Sequence, residues 1–195
     1  MAFFGLGYFS NLVYEDPAWD YKTFALEPGL KLADNKTASA LNATDADLKP
    51  FKSRGGKLIL YHGWNDPAIS ALNTVNYYDN VVAKMGQHDV DSFMRLYMVP
   101  GMQHCSGGPG ATSFGANGAV LGPKDAQHNI SLALQQWVEK GVAPEAVIAA
   151  KYEGDDQAKG VKMTRPLCPY PQVAKYHGSG DTNDAGNFVC AVEGK

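Results

Sequence analysis

Residues 57–70 read KLILYHGWNDPAIS and residues 92–108 read SFMRLYMVPGMQHCSGG, and these two stretches decide the fold. In each, a short apolar run ends in a loop of polar and turn-forming residues. The first run, 57–61, follows Gly55 and Gly56. Its unbroken apolar character predicts a buried strand of a parallel sheet. The second run, 93–99, predicts the next strand, broken by Pro100 and Gly101. Between them Leu72, Val75, Tyr78, Val82 and Met85 recur at steps of three and four. That spacing predicts an amphipathic helix over 70–85, with Ser70 as cap and Gly86 beyond its end. A second helix is predicted over 125–140 from Ile130, Leu132, Leu134, Trp137 and Val138, closed by Gly141, and an edge strand over 147–150. Strand, helix, strand, helix with short connections predicts an α/β fold: a parallel sheet with flanking helices.

Outward from this core, residues 1–26 carry Phe3, Phe4, Tyr8, Phe9, Tyr14, Trp19, Tyr21 and Phe24. A segment this aromatic is expected to dock on other protein. Residues 27–50 are polar and read as a surface connection, with Asn42 or Thr44 able to cap a short helical turn before Leu48. Beyond Pro166 the chain is rich in Pro, Gly and Asp and reads as an extended tail. The expected organisation is one domain over 1–195: a lead-in at 1–50, a strand-helix core at 55–150, and a tail at 151–195. A net charge of −3 and the lack of a basic stripe argue against nucleic acid as partner. No uninterrupted apolar window is long enough for a membrane span. The apolar N-terminus lacks a basic n-region and does not read as a signal peptide. Of the three cysteines, Cys168 and Cys190 bracket a loop-like segment. A bridge there suits an exported protein and would be worth roughly 3 kcal/mol in the chain-entropy model; two buried thiols are the alternative. Asn35, Asn42 and Asn129 each open an N-glycosylation sequon, a pattern little above chance.

The loops after the two strands carry the chemistry. In parallel sheets the site is built at the carboxyl ends of the strands. Asp66 sits five residues past Tyr61, within H-G-x-x-D, and His104 follows Val99 by five residues in a glycine-rich loop. An acid and then a histidine, in that chain order, are the last two members of a Ser…Asp…His triad as an α/β-hydrolase carries it. Asp66 would fix the imidazole's tautomer, and His104 would act as general base. A turn aspartate before Pro67 and a solvated loop histidine are the bland readings of the same residues. His62 opens the Asp66 loop and reads as shaping it. His88 and His128 lie in polar stretches and His177 in the tail. A metal site from His62, Asp66, His104 and Cys105 finds no support in ligand spacing, so no metal is expected. No G-x-S-x-G elbow occurs in the chain, and neither Ser106 nor Ser179 sits at a strand-to-helix turn. The chain therefore reads as the C-terminal part of an ester hydrolase, incomplete and without its nucleophile and oxyanion hole.

A string of motifs sharpens this reading. GGKLILYHGWNDPAIS, YYDNVVAKMG, RLYMVPGMQHCSGGPG, LQQWVEKGVAP and TRPLCPYPQVAKYHGSG resemble the C-terminal region of the tannase and feruloyl esterase family, from Trp19 to Cys190. The resemblance implies an α/β-hydrolase that cleaves esters of phenolic acids, with Asp66 as triad acid and His104 as base. It implies a Cys168–Cys190 disulfide. It also implies that Cys105 is half of a disulfide to the cysteine preceding the nucleophilic serine, a cysteine and a serine that this sequence does not contain. The family's lid, with its calcium site in many members, would lie upstream, so no cofactor is expected here. Met1 is then read as an internal start, a secreted or periplasmic setting is implied, and an N-terminal half is the expected partner. Two alternatives stand beside this. One is another serine acyl hydrolase or peptidase of the same fold. The other is a non-catalytic remnant or interaction module that binds through the aromatic segment.

Overall fold

The computed structural model describes residues 2–116 and 124–193, with the side chains of residues 2 and 3 excepted. Phe3, counted above among the aromatic residues, therefore has its side chain outside the described part. The chain forms two compact units, residues 1–45 and 46–195.

The first unit is helical. Helix α1 (Ala2–Tyr8) runs into a π-helical turn at Phe9–Val13, and α2 spans Leu26–Leu41. Phe9, Tyr14, Trp19 and Phe24 form an aromatic cluster, with Phe9 and Phe24 edge to face at 4.7 Å and Tyr14 and Trp19 stacked at 4.7 Å. Tyr8 and Thr37 share a hydrogen bond of 2.7 Å that ties α1 to α2. The 16-residue α2 lies where the sequence suggested a surface connection. Its residues are good helix formers with little apolar periodicity, and Pro28 is tolerated because first-turn N–H groups need no partner within the helix. Asn42 does not start a turn; it ends α2, its N–H reaching the Ala38 carbonyl at 3.0 Å.

The second unit is built on a parallel strand pair. After α3 (Lys49–Ser53), β1 (Leu58–Gly63) pairs in parallel with β2 (Met94–Val99), from Leu58 opposite Met94 to Gly63 opposite Val99. Helix α4 (Ala71–Met85) and the short α5 (Gln87–Asp91) connect them. Ser70 stands at the start of α4 without a side-chain cap bond; the backbone closes the turn through Asn73 N–H to Ser70 O, 3.0 Å. β2 is buried on both faces, which is why its sequence runs apolar without alternation. One face, with Tyr97 and Val99, packs against Met102, Phe114, Ile130, Val147 and Leu167. The other, with Met94, Leu96 and Met98, packs against Val75, Tyr78 and Val81 of α4 and against Phe93. Each such fully buried apolar side chain contributes about 1.5–3 kcal/mol. Tyr97 keeps its hydroxyl satisfied inside by donating to the Pro144 carbonyl at 2.8 Å.

Helix α6 (Ile130–Lys140) starts five residues later than its apolar pattern suggested. Asn129 decides this, because its side chain accepts from the N–H groups of Ser131 and Leu132, while Asp125 holds the preceding residues in a turn. Trp137 of α6 lies under the cations of Arg95 (5.1 Å) and Lys57 (5.3 Å), which fastens the helix across the strand pair. The segment expected as an edge strand is β3 (Val147–Tyr152), antiparallel to β4 (Val161–Leu167). The expected extended tail instead folds into a second antiparallel pair, β5 (Gln172–Tyr176) with β6 (Phe188–Val192). The Cys168–Cys190 disulfide ties it down, with Cα atoms 5.5 Å apart. Parallel pairing among the described residues is thus confined to β1 and β2, and the other ladders are antiparallel. No helix of the described residues is long and apolar enough to cross a membrane.

Candidate active site

Parallel pairing in register brings the two strand ends together. Gly63 closes β1 opposite Val99, and the loops that follow are stitched by Trp64 N–H to Val99 O and Asn65 N–H to Met102 O, both 3.0 Å. Asp66 and His104 meet across this seam, with Nδ1 of His104 2.9 Å from Oδ2 of Asp66. The Asp66 side chain is only 2% exposed, whereas that of His104 is 51% exposed. Buried acid and solvent-facing imidazole is the polarity a relay needs. Asp66 can only accept while ionised, so Nδ1 of His104 carries the hydrogen and Nε2 is left as the basic nitrogen.

The acid is held from every side. Its Oδ1 accepts from the N–H groups of Ala68 (2.8 Å) and Ile69 (3.0 Å), and Oδ2 also accepts from Nε2 of His62 at 3.2 Å. Burial pushes the carboxyl upward in pKa. The Ile69 and Ala68 amides and the His104 imidazole outweigh that and hold it well below the usual carboxylate range. A group whose folded value is depressed contributes stability above its unfolded value, about 3.9, and loses it as pH falls toward the folded one. The stability gap between the wild-type chain and Asp66→Asn is therefore expected to be widest near neutrality and to shrink below about pH 4. Urea midpoints measured from pH 7 to pH 3 check this, and a gap that stayed constant would contradict it.

The His104 loop presses on β1 at one point without a side chain. A Cβ on Gly63 would lie 2.2 Å from the Met102 carbonyl oxygen and 2.7 Å from that of Gln103. Farther along, Gln103 N–H reaches Gly107 O at 3.3 Å, and Lys151 of β3 donates to Gly108 O at 2.6 Å. Exposed Cys105 turns the chain with a left-handed φ of 57°. Gly63→Ala must push the backbone that carries His104. The expected cost is about 1–3 kcal/mol of stability from overpacking, with the imidazole displaced from its partner. Thermal melting together with loss of the Asp66–His104 coupling by NMR reads both effects; an unchanged melting temperature would show that the contact is slack.

The sequence-predicted residues thus come together in part. Asp66, His104 and His62 form one hydrogen-bonded group, and Thr74, which the sequence reading passed over, joins it through His62 at 2.7 Å. The i, i+4 spacing of His62 and Asp66 was the available signal. His128 instead pairs with Asp125 at 2.8 Å, and His177 reaches the Gly186 carbonyl at 3.3 Å. Cys168 and Cys190 are joined in the disulfide. Among the described residues no group of three or more His, Cys, Asp or Glu side chains could hold a metal ion.

An α/β fold that sets a buried carboxylate against an exposed imidazole at the ends of parallel strands belongs to the class of architectures that support acyl transfer. The chain itself belongs to the tannase and feruloyl esterase family, whose model matches residues 9–191. It is 41% identical to an uncharacterised esterase of Xanthomonas campestris, over 94% of this chain and 35% of that protein. It is 48% identical to the mono(2-hydroxyethyl) terephthalate hydrolase of Piscinibacter sakaiensis, over 77% of this chain and 22% of that protein. The crystal structure of feruloyl esterase B from Aspergillus oryzae superposes with a TM-score of 0.82 at 31% identity, over 95% of this chain and 37% of that one. The chain thus spans about a third or less of the length of these relatives.

Proposed function

We propose that the chain supplies the acid and base of a carboxylic ester hydrolase, Asp66 and His104, to a nucleophilic hydroxyl on further polypeptide. The observation that carries this is the 2.9 Å bond from the half-exposed His104 to the buried Asp66 carboxylate. In the forward step Nε2 of His104 takes the hydroxyl proton as the oxygen attacks the ester carbonyl. The resulting imidazolium is stabilised by Asp66 through Nδ1–H. The same proton passes to the leaving alkoxide, and an equivalent cycle with water frees the acid. The absence of a G-x-S-x-G elbow and the third-length coverage of the relatives support a nucleophile outside these 195 residues, with this chain as their C-terminal part and as the later strands of a hydrolase sheet. Two of the relatives are named for the feruloyl and terephthalate acyl groups, which supports aromatic-acid esters as the substrate class. The disulfide fits an oxidising compartment outside the cytoplasm.

The test is a chimera in which this chain replaces the matching third of the Xanthomonas esterase. Methyl ferulate should be hydrolysed by the chimera, while the 195-residue chain alone should be at least about 10³-fold slower, since triad and oxyanion hole are both incomplete. The corresponding amide should be a poor substrate. A chimera that folds but cleaves the amide as fast as the ester would overturn the esterase reading in favour of a peptidase.

A further inference from the structure

Asp66 carries a second imidazole that the proposed reaction does not use. His62, the penultimate residue of β1, is held between two partners. Its Nε2 stands 3.2 Å from Oδ2 of Asp66 and its Nδ1 2.7 Å from the hydroxyl oxygen of Thr74 on α4. The chemistry of these atoms selects one arrangement of hydrogens. An ionised carboxylate only accepts, so Nε2 of His62 carries a hydrogen. In the neutral ring Nδ1 then accepts from the Thr74 hydroxyl. Oδ2 of Asp66 thereby takes one bond from each imidazole, and Oδ1 takes two from backbone amides. All four acceptor positions of the carboxylate are filled, by donors from its own loop, from β1 and from the His104 loop.

We propose that His62 is the positioning residue of the Asp66 carboxylate: with Thr74 fixing its tautomer, its Nε2–H holds Oδ2 in line with Nδ1 of His104. This rests on the Asp66–His104 pairing proposed above and deepens it. Without His62 the bond to the half-exposed His104 is all that holds Oδ2, and the carboxylate can turn away from the base. The side chain of His62 is 12% exposed, so its own bond to Oδ2 is shielded from competing water. The titratable groups that meet it are Asp66 and, through the shared oxygen, His104. From α4 it meets the Thr74 hydroxyl, and Met98, uncharged, stands opposite it on β2.

The experiment is NMR of the 195-residue chain with ¹⁵N-labelled histidine, reading the ring nitrogens of each imidazole across pH. His62 is expected as the neutral Nε2–H tautomer in the wild-type chain. In His62→Leu the titration midpoint of His104 should fall by about one pH unit, toward its value in Asp66→Asn, as the carboxylate turns away. In His62→Gln, whose amide nitrogen can replace Nε2 as donor, it should fall by no more than about a third of that. Thr74→Val should move it in the same direction as His62→Leu. Asp66→Asn, as control, should lower it. An Nδ1–H tautomer at His62 overturns the inference. So does an unmoved His104 midpoint in His62→Leu while Asp66→Asn still shifts it; the Asp66–His104 pair then stands alone. A midpoint that Asp66→Asn also leaves in place removes the pair itself, and this inference with it. Should His62→Leu fail to fold, the wild-type tautomer and the Thr74→Val shift decide the matter.

Discussion

Asp66→Asn, introduced into the chimera, should lower kcat for methyl ferulate by about four orders of magnitude while leaving KM within a few fold. The expected size follows from the hydrogen bonds around the side chain. The N–H groups of Ala68 and Ile69 occupy one oxygen of the native carboxylate and will take the amide oxygen of the replacement. The amide NH₂ is then aimed at the two imidazoles that Oδ2 now serves. A donor facing Nδ1 forces His104 to accept there and to carry its hydrogen on Nε2. That is the nitrogen which must take the nucleophile's proton, so the base is blocked by its own tautomer. The geometry survives and the proton inventory is wrong, so the loss falls on kcat. Steady-state kinetics on a chimera with an unchanged circular dichroism spectrum measure it. A loss below about tenfold would mean that Asp66 does not set the tautomer of His104.

The parts of this arrangement that could be read from residues alone are those with one dominant local cause. β2 is covered on both faces, and its six residues admit no charged side chain between the two cores except Arg95, whose guanidinium lies over Trp137. The Asp66 and His104 loops are legible because strand, turn and glycine-rich loop each leave a separate mark. The meeting of Asp66 and His104 then follows from parallel pairing of neighbouring strands. Helix α2 was not legible. Its stability comes from residue propensity and from contacts with the aromatic turn in its own unit, and its apolar residues form no clean stripe. The start of α6 was misplaced because periodicity marks a buried face, whereas the boundary is set by the Asn129 cap. The antiparallel pairs at the end of the chain were hidden because β4, β5 and β6 are short and partly exposed. Their register depends on the irregular connections between consecutive strands and, for β5 and β6, on the disulfide. Thr74 escaped notice for a related reason. A threonine on a helix carries no signal until the fold lays it beside His62.

Removal of the base itself bears most directly on the proposed chemistry. His104 is half exposed and its described side-chain bond is to Asp66, so truncating it disturbs no packed core and should leave folding and ester binding close to wild type. What disappears is the group that takes the nucleophile's proton and returns it to the leaving alkoxide. General-base transfer of this kind supplies at least about 10²–10⁴ in rate, and loss of a triad member that acts as one unit with the others falls at the upper end of that range or beyond it. The decisive measurement is kcat for methyl ferulate in the chimera carrying His104→Ala. A fall of about 10³-fold or more, with KM and melting temperature little changed, is the predicted result; hydrolysis within about tenfold of the unmodified chimera would contradict the assignment of Asp66 and His104 as its acid and base.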